Sequence, residues 1–412
     1  MSEVILTPSS LCGSVTLPPS KSAAHRALIC AALSDCPCRV QPLSDSVDIC
    51  ATQRALQSLL QADGTHVTEI DCAESGSTLR FLIPVAAALG KAVRFVGHGK
   101  LPTRPIGDYL RLLPQHGVQC VSTGGLPLEI RGRLTPGTFA LAGDVSSQYI
   151  TGLLLALPLC GADSQIVLTT PLQSASYVDM TLDVLRRFGV RVQKTENGYF
   201  VPGEQCYHAP EYTVEADWSQ AAFYFAAGAI GGDVTVQGVD LHSVQGDRAV
   251  VELTRRFGAE VTADEAAHTV RIRSGALHGI SIDAKDIPDM VPALCVMAAF
   301  AKGKTVISGV ERLRYKESDR IASVVQNLQA MGADVSDGGD AIVIQGGRAL
   351  HGARLRGFND HRIVMAFSVA ALYARGETVM DDAESIRKSY PDFFEDYNRL
   401  GGKAWVQHSD KI

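Results

Sequence analysis

The sequence predicts an α/β protein of two similar halves, with its helices inside and its sheets outside. Two observations carry this. An amphipathic helix that closes on Gly and runs into a short alternating strand recurs six times, over residues 55–67, 109–120, 181–192, 251–261, 323–335 and, more loosely, 396–406. Between the copies lies a second helix type, Ala-rich and apolar on nearly every side: SAAHRALICAALS, STLRFLIPVAAALG, SQYITGLLLALPLCG, DWSQAAFYFAAGAIGG, DMVPALCVMAAFAKG and DHRIVMAFSVAALYARG. The strict alternation gives units of about seventy residues, nearer to a small βαβ module than to a solenoid repeat. Three units fall in each half, and a chain of 412 residues suits such a division, being too long for one core of ordinary size.

Each element follows from local chemistry. A helix without a polar face cannot meet water, so the Ala-rich type must form the interior. The amphipathic type ends at Gly64, Gly117, Gly189, Gly258, Gly332 and Gly401, because a helix C-terminus commonly turns through a left-handed residue. The runs KAVRFVG, SQIVLTT, DVTVQG, KTVISG and ETVMD, which follow buried helices, read as strands.

Composition narrows the function. With 46% apolar and 20% charged residues the chain reads as ordinary soluble protein, and no apolar run reaches the ~18 residues of a membrane span. The start MSEVILTPSS lacks a basic region followed by an apolar one, so the expected location is the cytoplasm. A net charge of -6 argues against a nucleic-acid partner. Ten cysteines, most in apolar runs, read as buried free thiols, and Cys36-Pro37-Cys38 has the wrong spacing for a C-x-x-C site. There is no HExxH, P-loop or GxGxxG, so neither a metal nor a nucleotide cofactor is expected.

The informative residues sit at the heads of the apolar helices. Ser20 or Ser22 can cap the first of these, and Lys21 and Arg26 crowd its first turns; the other heads carry Ser75, Gly76, Ser77 and Arg80, then Ser146, Ser147 and Gln148, then Asp217 and Ser219, Asp289, and Asp360, His361 and Arg362. Unpaired N–H groups and the helix dipole favour anions there, but a dipole supplies only ~0.3–1 kcal/mol, so the arginines and lysines must do most of the binding. The expectation is a substrate with several anionic groups, held between two domains. Taken singly, Asp289 reads as a helix cap, Ser146 to Gln148 as capping, YKESDR as a solvated turn, and His361 and Arg362 as partners of Asp360. Their joint position is what points to a site.

The stretches PSKSAAHRAL, SGSTLR, RPIGD, SSQYITGLLL, IPDMVPAL, YKESDRI, FNDHRIVMAFS and RKSYPDFFE, in order from residue 18 to residue 395, resemble the EPSP synthases, or 3-phosphoshikimate 1-carboxyvinyltransferases, among the enolpyruvyl transferases. The resemblance implies a two-domain inside-out α/β barrel, each domain three βαβαββ units. Residues 20–215 would mainly bind shikimate 3-phosphate; residues 1–19 and 216–412 would supply the catalytic base and part of the phosphoenolpyruvate site. The implied reaction moves the enolpyruvyl group of phosphoenolpyruvate to the 5-hydroxyl of shikimate 3-phosphate and releases phosphate, in a monomer without metal or cofactor, and it is a glyphosate target.

By the same resemblance, Asp289 accepts the proton of the attacking hydroxyl, while Lys21 and Glu317 handle protons at the phosphoenolpyruvate carbon. Lys21, Ser22, Arg26, Ser146, Ser147, Ser174, Asp289 and Lys316 meet shikimate 3-phosphate, and Gln148 lies beside both substrates. Lys21, Gly76, Arg104, Arg320, Arg362 and Lys388, with His361 next to them, meet phosphoenolpyruvate. Arginine suits this because its planar fork takes carboxylate and phosphate oxygens in pairs. Glu74 and Arg312 stand where the family usually has Asn, and Ser77 and Phe81 where Thr and Pro are common. Two other readings compete. A UDP-N-acetylglucosamine enolpyruvyl transferase carries a reactive Cys before its Arg-Pro, whereas GHGKLPTRP has none, and it tends to have Lys-Asn at Lys21-Ser22. A non-catalytic anion-binding repeat protein would not need Asp289 and Glu317 together.

Overall fold

Two kinds of helix alternate along the chain in the computed structural model, which describes residues 2–63 and 66–408. The buried kind comprises α1 (Lys21–Ala32), α3 (Gly76–Ala88), α5 (Ser147–Ala156), α7 (Trp218–Gly231), α9 (Val291–Phe300) and α11 (His361–Leu372). The amphipathic kind comprises α2 (Val47–Gln61), α4 (Gly107–Leu112), α6 (Ala175–Arg187), α8 (Val250–Phe257), α10 (Arg320–Ala330) and α12 (Phe393–Arg399). Every residue of α11 is buried, and every residue of α3 except Ser77. By contrast α6 buries one stripe, formed by Val178, Met180, Thr181, Val184 and Leu185. Gly117, Gly189, Gly258, Gly332 and Gly401 all take left-handed φ, between 77° and 102°, where the amphipathic helices turn back. Gly64 lies outside the described residues.

The chain divides into two units: Pro19–Val214, here the first domain, and the residues up to Pro18 together with those from Glu215 onward, the second. Five four-stranded sheets share one topology, a parallel pair extended by two antiparallel strands. In the first domain they run Thr68–Asp71, Val93–Val96, Leu128–Gly132, Val118–Val121, and Thr138–Leu141, Ser164–Leu168, Gly198–Val201, Gln193–Thr195. In the second they run Cys12–Thr16, Asp233–Gln237, Thr269–Arg273, Glu260–Asp264; Ser281–Asp283, Gly303–Ser308, Ala341–Gly346, Asp334–Asp337; and Arg354–Leu355, Thr378–Met380, Ser2–Leu6, Ala404–His408. Burial alternates along the strands, so one face of each sheet covers the helices and the other meets solvent. The unit around α1 departs from the pattern. Its sheet has two strands, Arg39–Gln41 and Glu211–Thr213, with no antiparallel pair among the described residues. Pro37 and Pro42 bracket the first of these and keep it short.

One packing detail sets the head of α3. Pro84 sits inside this helix and cannot donate to the carbonyl of Arg80, four residues back. The Tyr109 hydroxyl donates to that carbonyl instead, at 2.8 Å. Gly152 of α5 leaves the space, since a Cβ there would run into the same hydroxyl and carbonyl.

The ten cysteines are free, but burial is less general than expected: Cys30, Cys72, Cys160 and Cys295 are buried, whereas Cys12 and Cys206 are exposed. Short solvent-facing strands and turns hold the latter two. No helix among the described residues is long and apolar enough to cross a membrane.

Candidate active site

In the first domain, hydrogen bonds between α1, α2, α3, α5 and α6 join the helix heads. Ser20 caps α1, accepting from the Ala23 N–H at 3.4 Å. Lys21 Nζ donates to Asp48 Oδ2 at 2.8 Å, a pairing the sequence did not reveal because Asp48 lies on another helix. One turn on, Arg26 is buried. Its Nε donates to Thr181 Oγ1 at 2.8 Å, and its terminal nitrogens donate to the Ser22 carbonyl at 2.6 Å and the Tyr177 carbonyl at 3.0 Å. Burial lowers its pKa to about 10, so it stays charged at neutral pH. Ser22, beside these groups, is half-buried, and Ser174 sits at the N-cap of α6 in left-handed backbone, 3% exposed.

Ser146 does cap α5, accepting from the Gln148 N–H at 3.3 Å, and Ser147 follows as its first residue. The Gln148 amide is oriented at both ends: Oε1 accepts from Arg80 at 2.6 Å and Nε2 donates to Ser77 Oγ at 3.0 Å. Arg80 also donates to the Pro105 carbonyl, at 2.8 Å through one nitrogen and 3.2 Å through another. It therefore fixes the chain next to Arg104. A Cβ at Gly76 would lie 2.6 Å from Nη1 of Arg104, so this guanidinium rests against the head of α3. Burial and then the like charge of Arg104 bring Arg80 down to about 10. Both guanidiniums carry planar donor forks of the kind that bind carboxylate and phosphate oxygens in pairs. Glu74, the residue that replaces the usual Asn, lays its carboxylate against Gly99 in the loop that leads to Arg104.

The second domain assembles a denser network at the heads of α9, α10 and α11. Asp289 is not a cap, since Met290 holds the N-cap position of α9 and no side chain caps it. Its Oδ1 accepts from Arg320 at 2.9 Å and lies 3.4 Å from Lys316 Nζ, while Oδ2 accepts from Arg362 at 3.1 Å. Glu317 Oε2 accepts from Arg320 at 2.7 Å. Asp360, fully buried at the N-cap of α11, accepts from Arg320 Nε at 2.8 Å, from Ser318 Oγ at 2.9 Å and from the Arg362 N–H at 3.0 Å.

Arg320 is thus not part of a solvated turn. It is 1% exposed and its guanidinium is shared among three carboxylates. Burial would lower its pKa, but Asp360, Glu317 and Asp289 more than reverse this and push it above its ordinary value. Arg362 also donates to Ser219 Oγ at 2.9 Å, and Ser219 in turn donates to Asp217 Oδ1 at 2.5 Å, which ties in the head of α7. Lys388 Nζ donates to the Asn359 carbonyl at 2.7 Å, and His361, 1% exposed, lies beside Asp360. Arg312 donates instead to the Lys285 carbonyl at 2.9 Å, on a neighbouring loop.

Sequence reasoning missed the partners Asp48, Ser318 and Thr181, gave Arg80 and Ser219 no role beyond their place at helix heads, and saw Asp360 only as a partner of His361 and Arg362, not as the anchor of Arg320. The signal that could have found them is the repeat itself, since Asp360 and Asp217 occupy matching N-cap positions on buried helices.

Two domains of this topology, with basic residues at helix heads and Asp289 and Glu317 just before α9 and α10, have the architecture of an enolpyruvyl transferase. The family model for EPSP synthase (3-phosphoshikimate 1-carboxyvinyltransferase) matches residues 5–397. A 3-phosphoshikimate 1-carboxyvinyltransferase of Clostridium perfringens is 40% identical, covering 98% of this chain and 99% of its own. That of Clostridium novyi is 37% identical, with 98% of each chain covered. Among solved structures, EPSP synthase from Acinetobacter baumannii superimposes with a TM-score of 0.82 at 25% identity, over 99% of this chain and 100% of the other. The enolpyruvyl transferase NikO from Streptomyces tendae shares the fold, with a TM-score of 0.80 at 18% identity over 99% of each chain. The chain belongs to the EPSP synthase family, and it is an enzyme of the 3-phosphoshikimate 1-carboxyvinyltransferase class.

Proposed function

We propose how the two residue sets share the reaction, which transfers the enolpyruvyl group of phosphoenolpyruvate to the 5-hydroxyl of shikimate 3-phosphate and releases phosphate. Lys21, Ser22, Arg26, Ser146, Ser147, Ser174 and Lys316 hold shikimate 3-phosphate. Gly76, Arg104, Arg320, His361, Arg362 and Lys388 hold phosphoenolpyruvate, and Lys21 and Gln148 touch both substrates. Asp289 takes the proton of the attacking hydroxyl. Glu317 and Lys21 move the proton that arrives at, and later leaves, the phosphoenolpyruvate methylene carbon, because addition and elimination need one acid/base pair working in both directions.

The observation that carries this reading is the Arg320 cluster. One buried guanidinium holds Asp289 and Glu317 at 2.9 and 2.7 Å, so base and proton carrier are oriented from a common anchor. Lys316, Arg320 and Arg362 converge on Asp289, and Lys388 stands at the head of the same helix as Asp360, so donors for an anionic substrate lie beside the carboxylates. The non-catalytic alternative does not account for a carboxylate pair so placed. We read the enzyme as a cytoplasmic monomer that needs no metal for turnover. The test is phosphate release with each substrate alone and with both. Release that requires both, and that persists in a chelator, supports the reading; release from phosphoenolpyruvate alone, or with UDP-N-acetylglucosamine as acceptor, overturns it.

A further inference from the structure

Away from these residues, the first domain brings together a set of metal-binding donors. Its segments 34–41 and 207–213 run side by side. Ser34 bridges to Tyr207, the Asp35 N–H donates to the Tyr207 carbonyl at 3.0 Å, and Arg39–Gln41 pairs in parallel with Glu211–Thr213. Ser34 Oγ adds a bond to the same carbonyl at 3.1 Å, and the His208 N–H is held by the Phe188 carbonyl at 2.9 Å. On this frame one ligand atom each from Asp35, Cys36 and His208 fall within 4.8 Å of one another. They are the one such trio among the described residues. His208 Nδ1 and Asp35 Oδ1 are hydrogen-bonded at 2.7 Å, and Cys36 is half-buried beside them.

We propose that Asp35, Cys36 and His208 bind a borderline-soft divalent cation of the zinc type. A mixed sulfur, nitrogen and oxygen set excludes the hard ions, which take oxygen ligands, and suits an ion that accepts thiolate, imidazole and carboxylate together. Tetrahedral bonds of about 2.0–2.3 Å put ligand atoms about 3.3–3.8 Å apart, so the trio must contract by about 1 Å. The exposed side chains of Asp35 and His208 leave room for that, with 53% and 64% of their surface open. The ion replaces the proton between His208 Nδ1 and Asp35 Oδ1, which moves to Nε2. Cys36 gives its thiol proton to solvent, and water fills the fourth position. One proton therefore leaves per ion bound.

None of the three residues belongs to the substrate site, so the ion acts on stability rather than on chemistry. It clamps segment 34–41 to segment 207–213, which runs directly into Val214 at the end of the domain. Sequence spacing could not reveal this, because His208 is far along the chain from Cys36.

The full-length protein, reduced and metal-free, is titrated with Zn²⁺ and with Co²⁺. The expected result is one equivalent bound, a thiolate-to-cobalt charge-transfer band, one proton released and a rise in Tm with Zn²⁺. Losing a ligand should exceed the ~10-fold that loss of an outer-shell partner costs, so Cys36→Ser and His208→Ala should each weaken Zn²⁺ by more than that. Both variants should keep the parent's transfer rate, which shows that they fold. Cys206→Ser, at an exposed thiol outside the trio, should bind as the parent does. Binding unchanged in Cys36→Ser or His208→Ala, binding abolished in Cys206→Ser, or no binding by the parent would each overturn the proposal.

Discussion

The guanidinium of Arg104 fills the space beside Gly76, where a Cβ would lie 2.6 Å from its Nη1 and 2.8 Å from its Cζ. The absent side chain therefore makes room for Arg104 before it makes room for substrate. Because the obstacle is the end of a flexible side chain, Gly76→Ala should fold and should displace Arg104. The KM for phosphoenolpyruvate should rise. Glyphosate, a longer mimic with an anionic group at each end, should suffer more, so the ratio of its inhibition constant to that KM should increase. Steady-state inhibition of parent and variant measures this ratio. An unchanged ratio, or inhibition not competitive with phosphoenolpyruvate, would remove Gly76 and Arg104 from that subsite.

Behind the head of α3 runs a buried polar chain. His25 Nδ1 meets Thr52 Oγ1 at 2.7 Å, Thr52 meets Thr78 Oγ1 at 2.6 Å, and Thr78 donates at 2.7 Å to Ser75 Oγ, the cap before Gly76. Burial, then the charges of Lys21 and Arg26, hold the His25 pKa well below its ordinary value. Above the unfolded value of about 6.5 the ring is neutral in both states and contributes no pH dependence. Below it the unfolded chain gains a proton that the folded chain refuses. Stability should then fall by up to about 1.4 kcal/mol per pH unit. His25→Asn should flatten this slope in urea titrations between pH 7 and pH 5; an identical slope would mean that His25 titrates freely in the fold.

Asp360 anchors the second domain's cluster from full burial. Asp360→Ala leaves Arg320 short of its main partner and removes the cap of α11. Breaking a buried pair on one side costs ~3–5 kcal/mol. Denaturant unfolding should show a loss of that order, and a loss under ~1 kcal/mol would mean that Glu317 and Asp289 suffice to hold the arginine.

Helix type was legible because it depends on local pattern. Residues such as Phe367 and Ala370, in an apolar run broken only by Ser368, could only be interior, and Gly258 could be placed at a helix end from its φ requirement alone. Candidate site residues were legible as positions, at helix heads, but not as partners. Asp289 taken alone read as a cap, and only the fold shows that its carboxylate faces Arg320 and Arg362 from other helices. The shortened sheet around α1 was missed because the repeat argued for regularity, while Pro37 and Pro42 acted locally. Arg26 could be seen as a buried-helix cation, yet its hold on Tyr177 and Thr181 spans about 150 residues and leaves no trace in spacing.

In the proposed mechanism Asp289 removes the proton of the attacking hydroxyl. Asp289→Asn keeps the shape and can still accept from Arg320, so it separates proton removal from positioning. The direct measurement is single-turnover transfer with shikimate 3-phosphate and phosphoenolpyruvate, alongside phosphoenolpyruvate binding in the presence of shikimate 3-phosphate. The expected result is a rate lower by ~10²–10⁴ with binding largely intact. A rate equal to the parent's would contradict it.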